Sequence, residues 1–297
     1  MGLSIAYGTN SSDEDHTADL YGDNEDLVGK WFARSGKRDS IFLATKFGCK
    51  FNWETQAMSL YSDPAYVHEA CARSLACLGV SHIDLYYCHR VDGVTPIENT
   101  VEAMVQLKNE GKIRYPGLSE VSAETLRRAC KVHPIAAVQI EHGPSTTDIE
   151  DPQIALLQPC RELGVAVVAY SPLGRGFLTG AYKSPADFEE GDFRKVAPRF
   201  SAENFPNNLN LVEKIQAVAE RKACTVGQVT LAWLMAHHPN SFANFQRNSA
   251  VRRRLNILRR TLRRSISTDE KDEVRNAMAA AEVRGTRYPN REFAICV

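Results

Sequence analysis

Several features are missing from this chain of 297 residues, and each absence narrows what it can be. No apolar run approaches the roughly 20 residues needed to cross a bilayer. The opening Met1-Gly2-Leu3-Ser4-Ile5-Ala6-Tyr7 is too short and uncharged for a secretory signal, and Ala6 stands where an acylation pattern on Gly2 needs Ser or Thr. The expectation is therefore a cytoplasmic protein with no membrane partner. Net charge is also absent: 36 Lys and Arg balance 36 Asp and Glu, so no global field draws the chain toward nucleic acid or a lipid surface. The eight cysteines show neither Cys-x-x-Cys spacing nor histidines at ligand intervals, which leaves no metal site and fits reduced thiols. Finally, no Gly-x-Gly-x-x-Gly follows a strand-like run, which removes the main signature of a doubly wound dinucleotide-binding sheet.

What is present is a regular alternation. Short apolar runs at Ile41–Phe47, Ile83–Cys88, Ile113–Leu118, Ala136–Ile140 and Val165–Tyr170 read as strands buried on both faces. Amphipathic stretches separate them, with boundaries written in turn chemistry. Asp63-Pro64 opens a helix that runs to Leu78 and stops at Gly79. Thr95-Pro96 opens the next and Gly111 closes it; Ser122 opens a third; Asp151-Pro152 opens a fourth, closed by Gly164. Residues 177–206 form a long loop rich in Gly, Pro, Lys and acids, and helices follow at Asn207–Arg221 and Thr225–His237. Strands separated by single helices imply a parallel sheet with right-handed crossovers, which a barrel or a doubly wound sheet would both satisfy, in one α/β domain spanning 1–297.

Polar residues collect where these strands end. Lys46, His89, Ser119, Gln139 and Ser171 all fall at or near carboxyl ends, the face on which a barrel builds its active site. Tyr21 joins them from the segment His16-Thr17-Ala18-Asp19-Leu20-Tyr21-Gly22. A free tyrosine titrates near 10, so an adjacent lysine ammonium that stabilises the phenolate eases proton donation at neutral pH. Tyr21, Lys46 and His89 thus supply a proton donor, its tuning cation and a group to orient a carbonyl oxygen. Taken singly, each is more often a structural residue, and Ser171-Pro172-Leu173-Gly174 alone reads as a simple turn.

These segments, with Gly117-Leu118-Ser119, Val138-Gln139-Ile140-Glu141 and Ala169-Tyr170-Ser171-Pro172-Leu173-Gly174-Arg175-Gly176, resemble the aldo-keto reductase superfamily, in the branch related to pyridoxal reductase. The resemblance covers about Thr17 to Ala236. It implies a (β/α)8 TIM barrel that binds NADP(H) without a Rossmann motif and reduces an aldehyde or ketone to an alcohol. In that resemblance Tyr21 corresponds to the general acid, Lys46 to the lysine that tunes it and His89 to the substrate-orienting histidine. Ser119 and Gln139 match residues that bind the nicotinamide carboxamide, Tyr170 the aromatic stacked on its ring, and Ser171, Leu173 and Gly174 the loop around the pyrophosphate. Substrate selection would fall to the loop 177–206; the partner is a small carbonyl compound, and oligomeric state is left open.

The sequence also departs from the family pattern. His16 stands where an aspartate normally pairs with the lysine, and a histidine supplies no fixed negative charge, so impaired catalysis is expected. The segment Asn10–Asp15 occupies the place of a helix and strand, which implies that barrel strands 1 and 2 are missing and the barrel is incomplete. In the atypical segment 239–267 the strand 8 region is altered, and seven arginines fall between Val251 and Arg264 with no acid among them. For one choice of codons, skipping two nucleotides there restores a family-like Leu-Glu-Glu-Asn-Leu helix, a reading that transcript sequencing tests. A basic helix for a polyanion would need interleaved readers, which Phe242 and Phe245 alone do not provide; contact with the NADPH 2′-phosphate by a new route is a further option. The competing view of the whole chain is a barrel that has lost turnover and acts only in binding.

Overall fold

The computed structural model describes residues 18, 21–52, 57–152, 154–237, 241–243 and 266–289. Six parallel strands form its main sheet: β1 (Ala44–Phe47), β4 (Ile83–Cys88), β5 (Ile113–Ser119), β6 (Ala137–Glu141), β7 (Ala166–Tyr170) and β8 (Ser241–Ala243), hydrogen-bonded in that order. An antiparallel hairpin of β2 (Cys49–Asn52) and β3 (Ala57–Leu60) follows β1 directly. Among the described residues β1 and β8 have no strand on their outer sides, so the sheet is an arc of a barrel rather than a closed one. The expected absence of strands 1 and 2 concerns residues 1–17, and the arginine run 251–264; both lie outside the described residues. Within 239–267, Ser241–Ala243 pairs in parallel with Val167–Ala169 and keeps strand geometry.

Helices α1 (Asn24–Ser35), α2 (Pro64–Leu78), α3 (Ile97–Asn109), α4 (Ala123–Val132) and α5 (Leu157–Leu163) accompany β1 to β7. Their ends follow the expected chemistry. The Asp63 carboxylate accepts from the Tyr66 amide at 3.0 Å and Gly79 ends α2 in a left-handed conformation, φ 61°. Ser122 caps α4 by accepting from the Thr125 amide. The buried face of α2, Tyr66, Val67, Ala70, Cys71, Ser74 and Leu78, repeats at helical spacing. It packs on the outer face of the sheet, and each large aliphatic side chain so buried contributes ~1.5–3 kcal/mol.

One helix start differs from the sequence expectation. Asp151-Pro152 lies in a turn whose Asp151 carbonyl accepts from Ile154 and Ala155, and α5 begins only at Leu157. The reason is Ala155, which adopts φ 43° and breaks the helical path. The segment after β7 contains four short 3-10 helices, Phe177–Thr179, Pro185–Asp187, Phe193–Lys195 and Pro198–Phe200. With α6 (Phe205–Arg221), α7 (Val226–His237) and α8 (Thr268–Ala281) it surrounds a second apolar cluster centred on Phe177, Phe200, Phe205 and Trp233. A Ser267/Glu270 capping box opens α8.

Register determines which side chains point into the arc. Lys46 pairs with Tyr87, Tyr87 with Gly117, Gly117 with Ala137, and Ala137 with Ala166. Paired residues share a face, and the period of two puts His89, Ser119, Gln139 and Val168 one layer nearer the carboxyl ends, with Glu141 and Tyr170 above them. Gly117 makes this layer possible, because a Cβ there would lie 2.6 Å from the Tyr87 ring. At the opposite end of the inner face Phe42 and Tyr115 are exposed and stack on each other at 6.3 Å.

Candidate active site

Lys46 is buried on the inner face of β1. Its neighbour Thr45 points outward and donates a hydrogen bond of 2.7 Å to the buried Glu25 carboxylate in the first turn of α1. This bond fixes the start of α1 against β1. Tyr21 lies in the turn before that helix, its amide donating to the Ala18 carbonyl and its own carbonyl accepting from Asn24. The result is that Lys46 Nζ sits 5.1 Å from the Tyr21 ring centroid. His89 completes the group: its amide donates to the Phe47 carbonyl at 2.8 Å, and its ring meets the Tyr21 ring edge-on at 5.9 Å and 84°. Three residues 68 positions apart at the extremes converge because β1 and β4 are adjacent and α1 folds back over them.

The electrostatics of His89 follow from this placement. Burial, then the Lys46 and Arg90 charges, hold its pKa well below 6.5, so the imidazole is neutral at physiological pH. Its Nδ1 is buried without a hydrogen-bond partner among the described residues. A neutral imidazole carries one N–H, which suits donation to a carbonyl oxygen without competing for the tyrosine proton.

On the adjoining strands Ser119 and Gln139 are register partners, both buried. Arg90 links this pair to the first group: one guanidinium N–H reaches the His89 carbonyl at 2.9 Å and the Ser119 hydroxyl at 3.5 Å. Glu120, next to Ser119, takes φ 52°, a left-handed conformation that costs a non-glycine residue on the order of 1 kcal/mol. Its amide donates to the Gln139 carbonyl at 3.0 Å, and its carboxylate accepts from the Glu141 amide at 3.1 Å. Burial pushes this carboxyl up, but Arg90 and Arg287 outweigh it and hold its pKa at about 2.

Tyr170, at the end of β7, stays a phenol: burial first, then the Glu120 charge and Tyr288, raise its pKa well above 10. Ser171 follows with φ 48°. The Ser171-Pro172-Leu173-Gly174 segment is a hydrogen-bonded turn, with the Gly174 amide donating to the Ser171 carbonyl at 2.8 Å. That amide is therefore already committed, and the Leu173 side chain lies against Gly227. A Cβ at Gly174 would lie 2.9 Å from the Ser145 hydroxyl.

Of the residues singled out in the sequence, Tyr21, Lys46 and His89 meet at one point; Ser119, Gln139 and Tyr170 line the inner face beside them; and Ser171, Leu173 and Gly174 form the following turn. His16 lies outside the described residues. Sequence reasoning gave no role to Arg90, Glu120, Glu141 or Arg287. Arg90 and Glu120 directly follow residues already chosen at strand ends, a signal that was present. Arg287 carries none.

A lysine, histidine, serine and glutamine thus stand on the carboxyl-end layers of parallel strands, with a tyrosine folded against the lysine, at the face where an α/β barrel carries its functional groups. The chain belongs to the aldo/keto reductase family, whose sequence profile matches residues 7–256. It is 58% identical over 223 residues to "Aldo-keto reductase str7" of Strobilurus tenacellus, a match covering 75% of this chain and 65% of that protein. It is 45% identical over 308 aligned positions to "Aldo-keto reductase yakc [NADP(+)]" of Schizosaccharomyces pombe, covering 97% and 89% of the two chains. Among solved structures, the glycerol dehydrogenase AKR11B4 from Gluconobacter oxydans superposes with a TM-score of 0.78 at 26% identity, over 93% of this chain and 81% of that one. Membership confirms the expected barrel architecture, of which the six-stranded arc is the described part. Among the described residues no helix is long and apolar enough to cross a membrane.

Proposed function

We propose that the protein reduces an aldehyde or ketone to the alcohol with NADPH, using Tyr21 as proton donor. The observation that carries this reading is the convergence of the Tyr21 ring, Lys46 Nζ and His89, at 5.1 and 5.9 Å, on one inner face. Family membership supports carbonyl reduction in general, and the NADP(+) in the name of the fission-yeast relative supports the cofactor. The donor set fits that cofactor: Ser119 and Gln139 offer a hydroxyl and a carboxamide side by side, and Tyr170 a ring on the next strand. NADPH supplies the hydride when bound.

The chain's own residues do the rest. Neutral His89 donates to the substrate oxygen and orients it. Tyr21 transfers its phenolic proton to that oxygen as negative charge develops there, and Lys46 stabilises the phenolate left behind. Ser119 and Gln139 hold the carboxamide, Tyr170 supports the ring, and Ser171, Leu173 and Gly174 border the pyrophosphate, with Gly174 contributing close approach rather than its amide. The substrate is a small carbonyl compound met in the cytoplasm, bounded on one side by the loop 177–206.

Tyr21→Phe tests this. Turnover of a generic aldehyde should fall ~10²- to 10⁴-fold while NADPH binding, followed by fluorescence, is retained. Wild-type turnover in the Phe variant refutes the assignment. A wild-type protein that shows neither NADPH binding nor turnover supports the competing reading, a barrel that has lost turnover.

A further inference from the structure

The segment 284–288, after α8, crosses the carboxyl ends of the strands. It is held there on both sides. The Arg284 amide donates to the Asn208 side-chain oxygen at 2.7 Å, and the Arg199 amide donates to the Thr286 carbonyl at 3.2 Å. Gly285, at φ 83°, lets the backbones touch, since a Cβ there would lie 2.6 Å from the Pro198 carbonyl carbon. The guanidinium of Arg175 lies over the Tyr288 ring at 4.7 Å.

This path delivers Arg287 to the inner face, where it is 4% exposed. Its two terminal nitrogens donate to the two Glu120 oxygens at 3.1 and 3.2 Å, and Nε lies 3.1 Å from Asp148. The same terminal nitrogen donates to the Tyr170 hydroxyl at 3.3 Å, which also pairs with the Tyr288 hydroxyl at 3.2 Å. Arg287 therefore touches Glu120, which follows Ser119 and whose carboxylate ties β5 to β6, and the Tyr170 ring at the end of β7. The planar fork meets the two carboxylate oxygens with its two terminal nitrogens while a further N–H reaches the phenol.

We propose that Arg287 is a positioning residue for the nicotinamide half of the cofactor site: through Glu120 and Tyr170 it sets Ser119, Gln139 and the aromatic platform in one arrangement. The proposal rests on the functional reading above. It makes a prediction that a general structural role does not, because Arg287 touches Tyr170, assigned to the nicotinamide, and Glu120, the neighbour of Ser119 whose amide donates to the Gln139 carbonyl.

The test compares two probes in the purified protein: NADP⁺, and 2′-phospho-ADP-ribose, which lacks nicotinamide. Arg287→Met should weaken NADP⁺ binding about tenfold, the scale of one lost charge-assisted hydrogen bond, and leave 2′-phospho-ADP-ribose within about twofold. Arg287→Lys, which keeps the charge and loses the fork, should fall between Met and wild type, and serves alone should the Met variant fail to fold. Equal loss for both probes overturns the proposal in favour of a general structural role, and so does unchanged NADP⁺ affinity in a folded variant. A Tyr170→Ala control separates the two levels. If wild type binds NADP⁺ no better than the truncated probe and Tyr170→Ala changes nothing, the cofactor reading itself is wrong and this one goes with it.

Discussion

Substituting Gly29 by alanine sets two measurable effects against each other. Gly29 lies in the middle of α1, where glycine costs ~1 kcal/mol relative to alanine, so propensity alone forecasts a more stable protein. Packing forecasts the reverse. A Cβ at Gly29 would sit 2.5 Å from the Cys77 carbonyl oxygen and 3.0 Å from Leu78 backbone atoms, where ordinary contact begins near 3.4 Å. Those atoms belong to the last turn of α2 and cannot rotate away, so α1 must back off by most of that shortfall. Overpacking of this kind costs ~1–3 kcal/mol, and a backbone obstacle puts it at the upper end. The balance is a loss of about 2 kcal/mol, or roughly 3 °C in melting temperature for a chain of 297 residues. The functional effect is sharper, because Tyr21 rides on the start of α1 while Lys46 belongs to β1. Displacement near 1 Å should lower kcat by up to ~10²-fold, with NADPH affinity unchanged because α1 is remote from Ser119, Gln139 and Tyr170. Thermal unfolding and steady-state kinetics on Gly29→Ala decide it: a variant as stable and as fast as wild type would refute the claim that α1–α2 contact places the proton donor.

Two further outcomes concern the frame around the site. The Asp92 carboxylate accepts from the amides of Ser62, Val94 and Thr95 and from the Thr95 hydroxyl, at 2.7 to 3.1 Å, which pins the loop after His89 and Arg90. Burial would raise its pKa, but these bonds outweigh burial and hold it at about 2. Its contribution, about 1–2 kcal/mol after solvent screening, is thus present above the unfolded value near 3.9 and lost as pH falls toward 2. Asp92→Asn should therefore be less stable at pH 7 by urea unfolding, with the gap closing below pH 4; a gap constant with pH speaks against it. Asp63→Ala removes the α2 cap bond to Tyr66 and should cost ~1 kcal/mol, with kcat unaltered. An accompanying fall in kcat at full folding would show that the cap does more than start a helix.

How much was readable beforehand depended on how local the cause was. The ends of α2 and α4 could be located because Asp63, Gly79 and Ser122 satisfy the helix termini with atoms a few residues away. The start of α5 could not, because Pro152 offered a plausible opening and nothing in the pattern announced the left-handed Ala155. The hairpin β2–β3 and helix α1 went unmarked too; Asp23 makes no side-chain cap bond, so α1 lacks the signal that announced α2. Tyr21, Lys46 and His89 stood out because each ends a recognisable segment. Arg287 did not, since its partner Glu120 lies 167 residues away.

The amino-acid order alone determined the parallel alternation of strands and helices, since hydrophobic period and capping act over a handful of residues. It also determined which polar side chains stand at carboxyl ends, because a strand's length and the parity of its residues settle that. Only the tertiary structure decided that α1 folds back to bring Tyr21 over Lys46, and that the segment after α8 reaches Glu120 and Tyr170. These depend on closure of long loops and on packing between distant elements, for which no short stretch of sequence carries the energy.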